Sequence, residues 1–288
     1  MEEKTTINWF PGHMAKTLRE IEGNLKMANA IIYCLDSRAP FSCLNPEFEK
    51  RVNNKPIIYV LNKSDLAEEE KTKQFKLKLE NQGKTVIITN ANSNASRAVI
   101  IKSLKQAFNS KIEINKKKGV NFILKAMVIG VPNTGKSTII NLLAGFKKAT
   151  TGNKAGVTKS SSWIKIDNNL ELMDTPGTLW PSFNNPSVAR NLAIIGSIKN
   201  EVVDQTELSV ELIKLLIKIK PTALIERYGL NFSAQSIKNV SAIEILDQIC
   251  QNRGFILKKN ELDYDRAGKA IIEDYRSLKM GRITLDEF

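Results

Sequence analysis

The octapeptide Gly130-Val-Pro-Asn-Thr-Gly-Lys-Ser137 constrains this chain more than any other stretch. It fits the G-x-x-x-x-G-K-[ST] pattern of a phosphate-binding loop. Phe122 to Ile129, apolar and rich in β-branched residues, predicts a buried strand before it. Thr138 to Ala144 predicts a helix after it, stopped by Gly145. Strand, glycine loop and helix together make a cradle whose backbone N–H groups and helix N-terminus favour phosphate oxygens. In that cradle Lys136 reaches the β- and γ-phosphates and Ser137 holds Mg²⁺, with Asn133, Thr134, Gly135 and Thr138 completing the contacts.

A second stretch selects the base. Lys55 to Leu61 predicts a strand that runs into Asn62-Lys-Ser-Asp65. An acceptor-only carboxylate at Asp65 takes both the N1–H and the exocyclic amine of guanine, donors that adenine does not present in that arrangement. Lys63 lays its stem along the base, Asn62 ties loops together, and Ser64 stands between them. Alone, this tetrapeptide is a common turn composition; beside a phosphate loop it specifies GTP. Asn90-Ala91, after the next predicted strand (Lys84 to Thr89), is a loose match to the loop that contacts guanine O6.

Downstream, Thr158 within Gly156-Val-Thr158 is the candidate switch threonine on Mg²⁺ and the γ-phosphate. A hairpin is predicted across Asp167-Asn-Asn169, its second strand ending in Asp174-Thr-Pro-Gly177. There Asp174 is placed for the Mg²⁺ shell and the Gly177 N–H for the γ-phosphate. The single histidine, His13, lies in Trp9-Phe-Pro-Gly-His-Met14 before a predicted helix, where a structural role is the ordinary one.

The charge is +13, which suggests a polyanionic partner with nucleic acid as the default. Residues 50–118 carry 16 basic and 6 acidic residues, so the basic surface belongs to the first half. Lys71, Lys73, Lys76 and Lys78 fall in one polar helix, which reads equally as a solvated face. Arg266, Lys269, Glu273 and Arg276 form the outer stripe of the last predicted helix, either a phosphate-contacting face or a solvated one. The three cysteines are widely spaced and read as reduced thiols of a cytoplasmic protein. No apolar run approaches the roughly 18 residues of a membrane span, and the N-terminus has no signal-peptide pattern.

The order of the motifs is unusual. In ordinary GTPases the phosphate loop comes first and Asn-Lys-x-Asp last; here Asn62–Asp65 precedes Gly130–Ser137, and Asp174–Gly177 follows both. Neither is duplicated, so a circular permutation accounts for the order. The basic stretch 113–119 joins the ordinary ends, and the new break falls after Gly177, where a following helical region anchors the switch. The fold class expected is α/β: a circularly permuted, Rossmann-like phosphate-loop GTPase domain over 1–183, then an all-α domain over 184–288.

Together these marks resemble the bacterial ribosome-biogenesis GTPase A family (RbgA/YlqF). The resemblance spans nearly the whole chain and rests on Trp9–Met14, Asp36-Ser-Arg-Ala-Pro40, Asn62–Asp65, Gly130–Ser137, Asp174–Gly177 with Leu179-Trp-Pro181, and Glu226-Arg-Tyr-Gly229. It implies a C-terminal helical domain that contacts RNA, and GTP hydrolysis stimulated by the large ribosomal subunit. It also implies a precursor of that subunit and its ribosomal RNA as partners, for a monomeric protein with no membrane attachment. Ala155 stands where the family usually has proline. Thr178 stands where many GTPases carry a water-orienting glutamine and this family an apolar residue. The resemblance places the Trp9–Met14 segment near the nucleotide, which makes His13 a candidate for positioning the attacking water. Asn133 is either a K⁺ ligand, as in several permuted GTPases, or a residue that only shapes the loop. The alternative function is a GTP-dependent RNA-binding switch not tied to the large subunit; a small-molecule kinase is disfavoured by Asn62–Asp65.

Overall fold

The computed structural model describes residues 19, 21–45, 48, 52, 55–90, 94–145, 162–179 and 185–287. Among the described residues six strands form one sheet: β1 (Ala30–Asp36), β2 (Ile57–Asn62), β3 (Thr85–Ile88), β4 (Leu124–Ile129), β5 (Ser162–Asp167) and β6 (Leu170–Asp174). Their spatial order is β3-β2-β1-β4-β6-β5. All pairings are parallel except β5 with β6, the predicted hairpin. Every residue of β1 is buried, as expected of a central parallel strand covered on both faces.

Pleating divides the core. Ala30, Ile32 and Cys34 of β1, Ile58 and Val60 of β2, and Ala126 and Val128 of β4 face one layer. That layer is packed by Ile100 and Leu104 of α2 (Asn94–Ala107) and Ile139, Ile140 and Leu143 of α4 (Lys136–Ala144). Between them α3 (Asn109–Lys117) carries the chain to β4. Ile31, Tyr33 and Leu35 face the other layer with Phe75 and Leu79 of α1 (Glu69–Glu80). The apolar core on that side continues without interruption into the C-terminal helices, through Leu192, Leu212, Leu216, Ile245 and Ile271.

Those helices are α5 (Pro186–Ile194), α6 (Gln205–Ile219), α7 (Pro221–Tyr228), α8 (Ala242–Arg253) and α9 (Tyr264–Arg276). Their starts follow local chemistry: Asn185, Asp204 and Asp263 accept first-turn N–H groups, and Ser241 with Glu244 closes a capping box. Arg227 and Tyr228, from the Glu226–Gly229 segment, both donate to Asp274 of α9 (2.8 and 3.0 Å). That segment therefore fastens two helices. Beyond α9 the chain returns to the sheet: Leu285 N donates to Arg38 O (2.7 Å), and Asp286 accepts from Ser42 Oγ (2.6 Å) and Asn191 Nδ2 (3.0 Å).

Three expectations change. The basic stretch 113–119 is largely helical, because α3 extends through Lys117 before Gly119 turns the chain. The lysines of α1 are largely paired: Lys71 with Glu68, Lys73 with Glu69 and Glu70, and Lys76 with Glu80. The solvated-face reading fits that helix, and further exposed basic residues are Lys102 on α2, Lys111, Lys116 and Lys117 on α3, and Lys118 just after it. Finally, Arg276 leaves the outer stripe of α9. Its guanidinium donates to the carbonyls of Ala193 and Ile194 (both 2.7 Å), and burial pushes it down to about 10. It caps the C-terminal end of α5, where orphan carbonyls attract a cation.

Candidate active site

Strands β2, β1, β4 and β6 all deliver their motifs to one edge of the sheet. The strand order reverses between β1 and β4, and ligands of open α/β sheets bind in the crevice beyond the carboxyl ends at such a point. The phosphate loop follows β4 there. Gly135, at φ +91°, is the N-cap of α4 and offers no side-chain acceptor, so the first-turn N–H groups of the helix stay available to an anion. Lys136 is buried and donates to Val131 O (2.9 Å). Burial pushes its ammonium down to about 8, although Asp174 pulls the other way.

The guanine-type segment meets this loop directly. Asn62 Nδ2 donates to Thr134 O (2.8 Å), and Lys63, in left-handed backbone at φ 58°, donates through Nζ to Asn133 O. Asp65 lies half-buried in the short helical turn Ser64–Leu66, and Ser64 N donates to Thr89 O at the end of β3 (3.3 Å). Asn90 follows at that edge and accepts from Ser96 Oγ through its carbonyl (3.2 Å).

On the other flank, Ser137 Oγ donates to Asp174 Oδ2 (3.0 Å), across a register that sets Asp174 beside Val128 of β4. Two hard oxygen donors at the mouth of a phosphate loop fit the chemistry of Mg²⁺. Gly177 comes against the loop so closely that a Cβ would lie 2.6 Å from Pro132 Cα. Thr178 and Leu179 turn inward and are buried. Thr138 lies in the first turn of α4. His13, Ala91, Ala155 and Thr158 lie outside the described residues, as do Trp9–Met14 and Trp180-Pro181.

Asn133, at φ 61°, donates its side-chain amide to Gly196 O (2.6 Å), so it anchors the loop to the C-terminal helices. Ser197 Oγ adds a bond to Pro132 O (2.7 Å). Neither Gly196 nor Ser197 carried any signal in the sequence, since their contacts cross more than 60 residues. Asp36 and Arg38 were visible only as family marks; they form a buried bidentate pair that also engages Lys63. Burial alone would raise the Asp36 carboxyl, but Arg38 and Lys63 hold it well below the usual carboxylate range.

Residues 125–247 match the family model described as 50S ribosome-binding GTPase; Asn62–Asp65, which precedes the loop here, falls outside that match. Ribosome biogenesis GTPase A of Priestia megaterium is 36% identical over 284 residues, covering 98% of this chain and 97% of its own length. The Thermotoga maritima protein of the same name is 29% identical, with 97% and 94% covered. The crystal structure of GNP-bound YlqF from T. maritima aligns with a TM-score of 0.62 at 26% identity, covering 94% of this chain and 98% of that one. A six-stranded sheet with reordered nucleotide motifs, a helical C-terminal region and this identity over nearly the full length lead to one conclusion: the chain belongs to the ribosome biogenesis GTPase A family, circularly permuted GTPases.

Proposed function

We propose that this protein docks on ribosomal RNA in a late precursor of the large ribosomal subunit, closes its switches on GTP, and leaves after hydrolysis. Family membership makes it a GTP-hydrolysing enzyme of ribosome assembly; the subunit, the RNA and the timing are the proposal. The choice of the large subunit leans on the family description, 50S ribosome-binding GTPase, and the GTP dependence is carried by the junction of Asn62 and Lys63 with the carbonyls of Thr134 and Asn133. It sets a guanine-type segment beside a phosphate loop although the chain runs through them in the inverted order. Residues 1–183 are the proposed GTPase domain and 184–288 the proposed RNA-contacting unit, with the cytoplasm as its place and a monomer as its state. Among the described residues no helix is long and apolar enough to cross a membrane.

In this reading Asp65 recognises guanine, with Asn90 and Ala91 on the O6 side. Lys136 binds the β- and γ-phosphates, and Thr134, Gly135 and Thr138 contribute the cradle. Ser137, Asp174 and Thr158 would hold Mg²⁺, which when bound neutralises charge on the phosphate oxygens. Gly177 senses the γ-phosphate. K⁺ at Asn133 would be held by the side-chain oxygen while the side-chain nitrogen donates to Gly196 O; comparing turnover in K⁺ and Na⁺ at fixed ionic strength tests it.

Lys136 makes a pH prediction. Bound phosphate must raise its pKa above the value of about 8 in the free site. Below that pH both states carry the proton and GTP affinity is flat. Above it, binding takes up a proton, so affinity falls by up to about tenfold per pH unit. Titrations from about pH 7 to about pH 9.5 read this directly, and a flat profile would show that Lys136 takes up no proton on binding in this range.

Sedimentation with purified subunits tests the partner. Binding is expected to large subunits, strongest with a non-hydrolysable GTP analogue, and to weaken as log affinity against log salt. Arg266→Ala with Lys269→Ala should reduce binding with GTP affinity intact, Lys269 exchanging its same-helix partner Asp265 for phosphate; Arg276 is left out because it holds α5. Equal binding to small subunits would favour the alternative RNA-binding switch.

His13→Ala should bind GTP normally and lose subunit-stimulated hydrolysis, by about 10²- to 10⁴-fold if the imidazole positions or polarises the water. Stimulated turnover that survives in the variant would assign the role to another group.

A further inference from the structure

Six residues from four segments close a ring of polar contacts behind the phosphate loop. Lys63 Nζ lies 3.0 Å from Asp36 Oδ2. Asp36 accepts Arg38 Nε (3.0 Å) and Nη2 (2.8 Å). Arg38 Nη2 also donates to Ile195 O (3.3 Å). The next carbonyl, of Gly196, accepts Asn133 Nδ2 (2.6 Å), and the carbonyl of Asn133 accepts Lys63 Nζ, which closes the circuit. Asp36 is 1% exposed and Arg38 3%.

A buried ion pair is a poor way to gain stability, because desolvating both charges offsets most of their attraction and an apolar pair packs as well. What a bidentate Arg–carboxylate pair supplies is a fixed direction. Here the direction is set at both ends: the carboxylate faces Lys63, and the guanidinium faces the turn that follows α5. That same turn is bound to the loop by Asn133 and Ser197, and to α9 by Arg276. A displacement of Asn133 or Lys63 is therefore imposed on residues 193–197 from two sides.

We propose that Asp36 and Arg38 are positioning residues of the nucleotide site: they hold Lys63 against the phosphate loop and couple occupancy of that loop to the 193–197 turn at the root of the C-terminal helices. This rests on the reading that GTP binds at Gly130–Ser137. Coupling of this kind is reciprocal, so a partner that holds the C-terminal helices in the ring-closed pose also tightens GTP.

Hydrogen–deuterium exchange of the full chain, with and without a non-hydrolysable GTP analogue, tests the proposal. In the wild type, nucleotide is expected to slow exchange in 130–138 and in 193–197. In Arg38→Lys, and in the double variant Asp36→Asn/Arg38→Gln, the 130–138 response should persist and the 193–197 response should shrink to what the direct Asn133 and Ser197 bonds carry. GTP affinity should fall on the order of tenfold, a modest loss for a buried charge contact. Folded variants that bind the analogue and retain the full 193–197 response would overturn the proposal. So would a wild type in which 130–138 responds and 193–197 does not. If neither variant folds, the pair is structural only and the positioning role is refuted. A wild type with no response at 130–138 would instead remove the GTP reading, and this one with it.

Discussion

Replacing Asp65 by asparagine is expected to weaken GTP by about 2–5 kcal/mol, the cost of breaking a charged partner in a desolvated contact, and to favour xanthosine triphosphate. In the proposed site the carboxylate accepts from both guanine donors, whereas the amide of asparagine sets one donor against the exocyclic amine. Xanthine carries a carbonyl at that position, so the same amide then finds an acceptor. The backbone that presents residue 65 does not depend on its side chain. It is set by Lys63 in left-handed backbone, by the Ser64–Leu66 turn and by the Ser64 N bond to Thr89 O. The substitution thus reads base recognition rather than folding. Competition titrations with the two nucleotides measure it, and an unchanged GTP affinity would take Asp65 out of the guanine site.

Gly177→Ala should cost about 10²-fold in hydrolysis, the scale on which an ångström of misplacement acts. A Cβ at this position would stand 2.6 Å from Pro132 Cα, 2.8 Å from Pro132 N and 2.9 Å from Lys136 Nζ. The lysine terminus has some freedom, but the first two atoms are backbone of the phosphate loop. Relief requires Gly177 and the loop to part, which moves the proposed γ-phosphate N–H away from its acceptor. GDP lacks that phosphate, so GDP binding should survive. Single-turnover hydrolysis beside GDP titration separates the two effects. Turnover at the wild-type rate would show that the segment after Asp174 does not act on the γ-phosphate.

Strands β2, β3 and β4, the β5–β6 hairpin and helix α4 were legible because their causes are local. The apolar run of β4, the glycine loop and the start of α4 follow from neighbouring residues, and Pro221 and Gly229 bound α7 as composition suggests. The lysines of α1 and the outer stripe of α9 were less legible. Periodicity marks which residues share a face; whether Lys73 finds Glu69 or a phosphate depends on what lies beside it. Arg276 shows the limit most clearly, since its spacing agrees with an outer stripe while its guanidinium has turned to carbonyls some 80 residues away.

The amino-acid sequence alone carries the motif of each loop: the G-x-x-x-x-G-K-S pattern at 130–137, Asn-Lys-x-Asp at 62–65, Asp174-Thr-Pro-Gly177, and their permuted order. Those depend on residue type and short spacing, which the chain carries wherever it goes. How the loops meet is set by the packing of the folded chain. The sheet order sets β1 between β2 and β4, which brings Lys63 to both Asp36 and Asn133. The apolar core shared between the sheet and the C-terminal helices sets the 193–197 turn on the phosphate loop. Such contacts join residues separated by many tens of positions, and they form because burying both surfaces at once fixes one mutual pose, which no local pattern records.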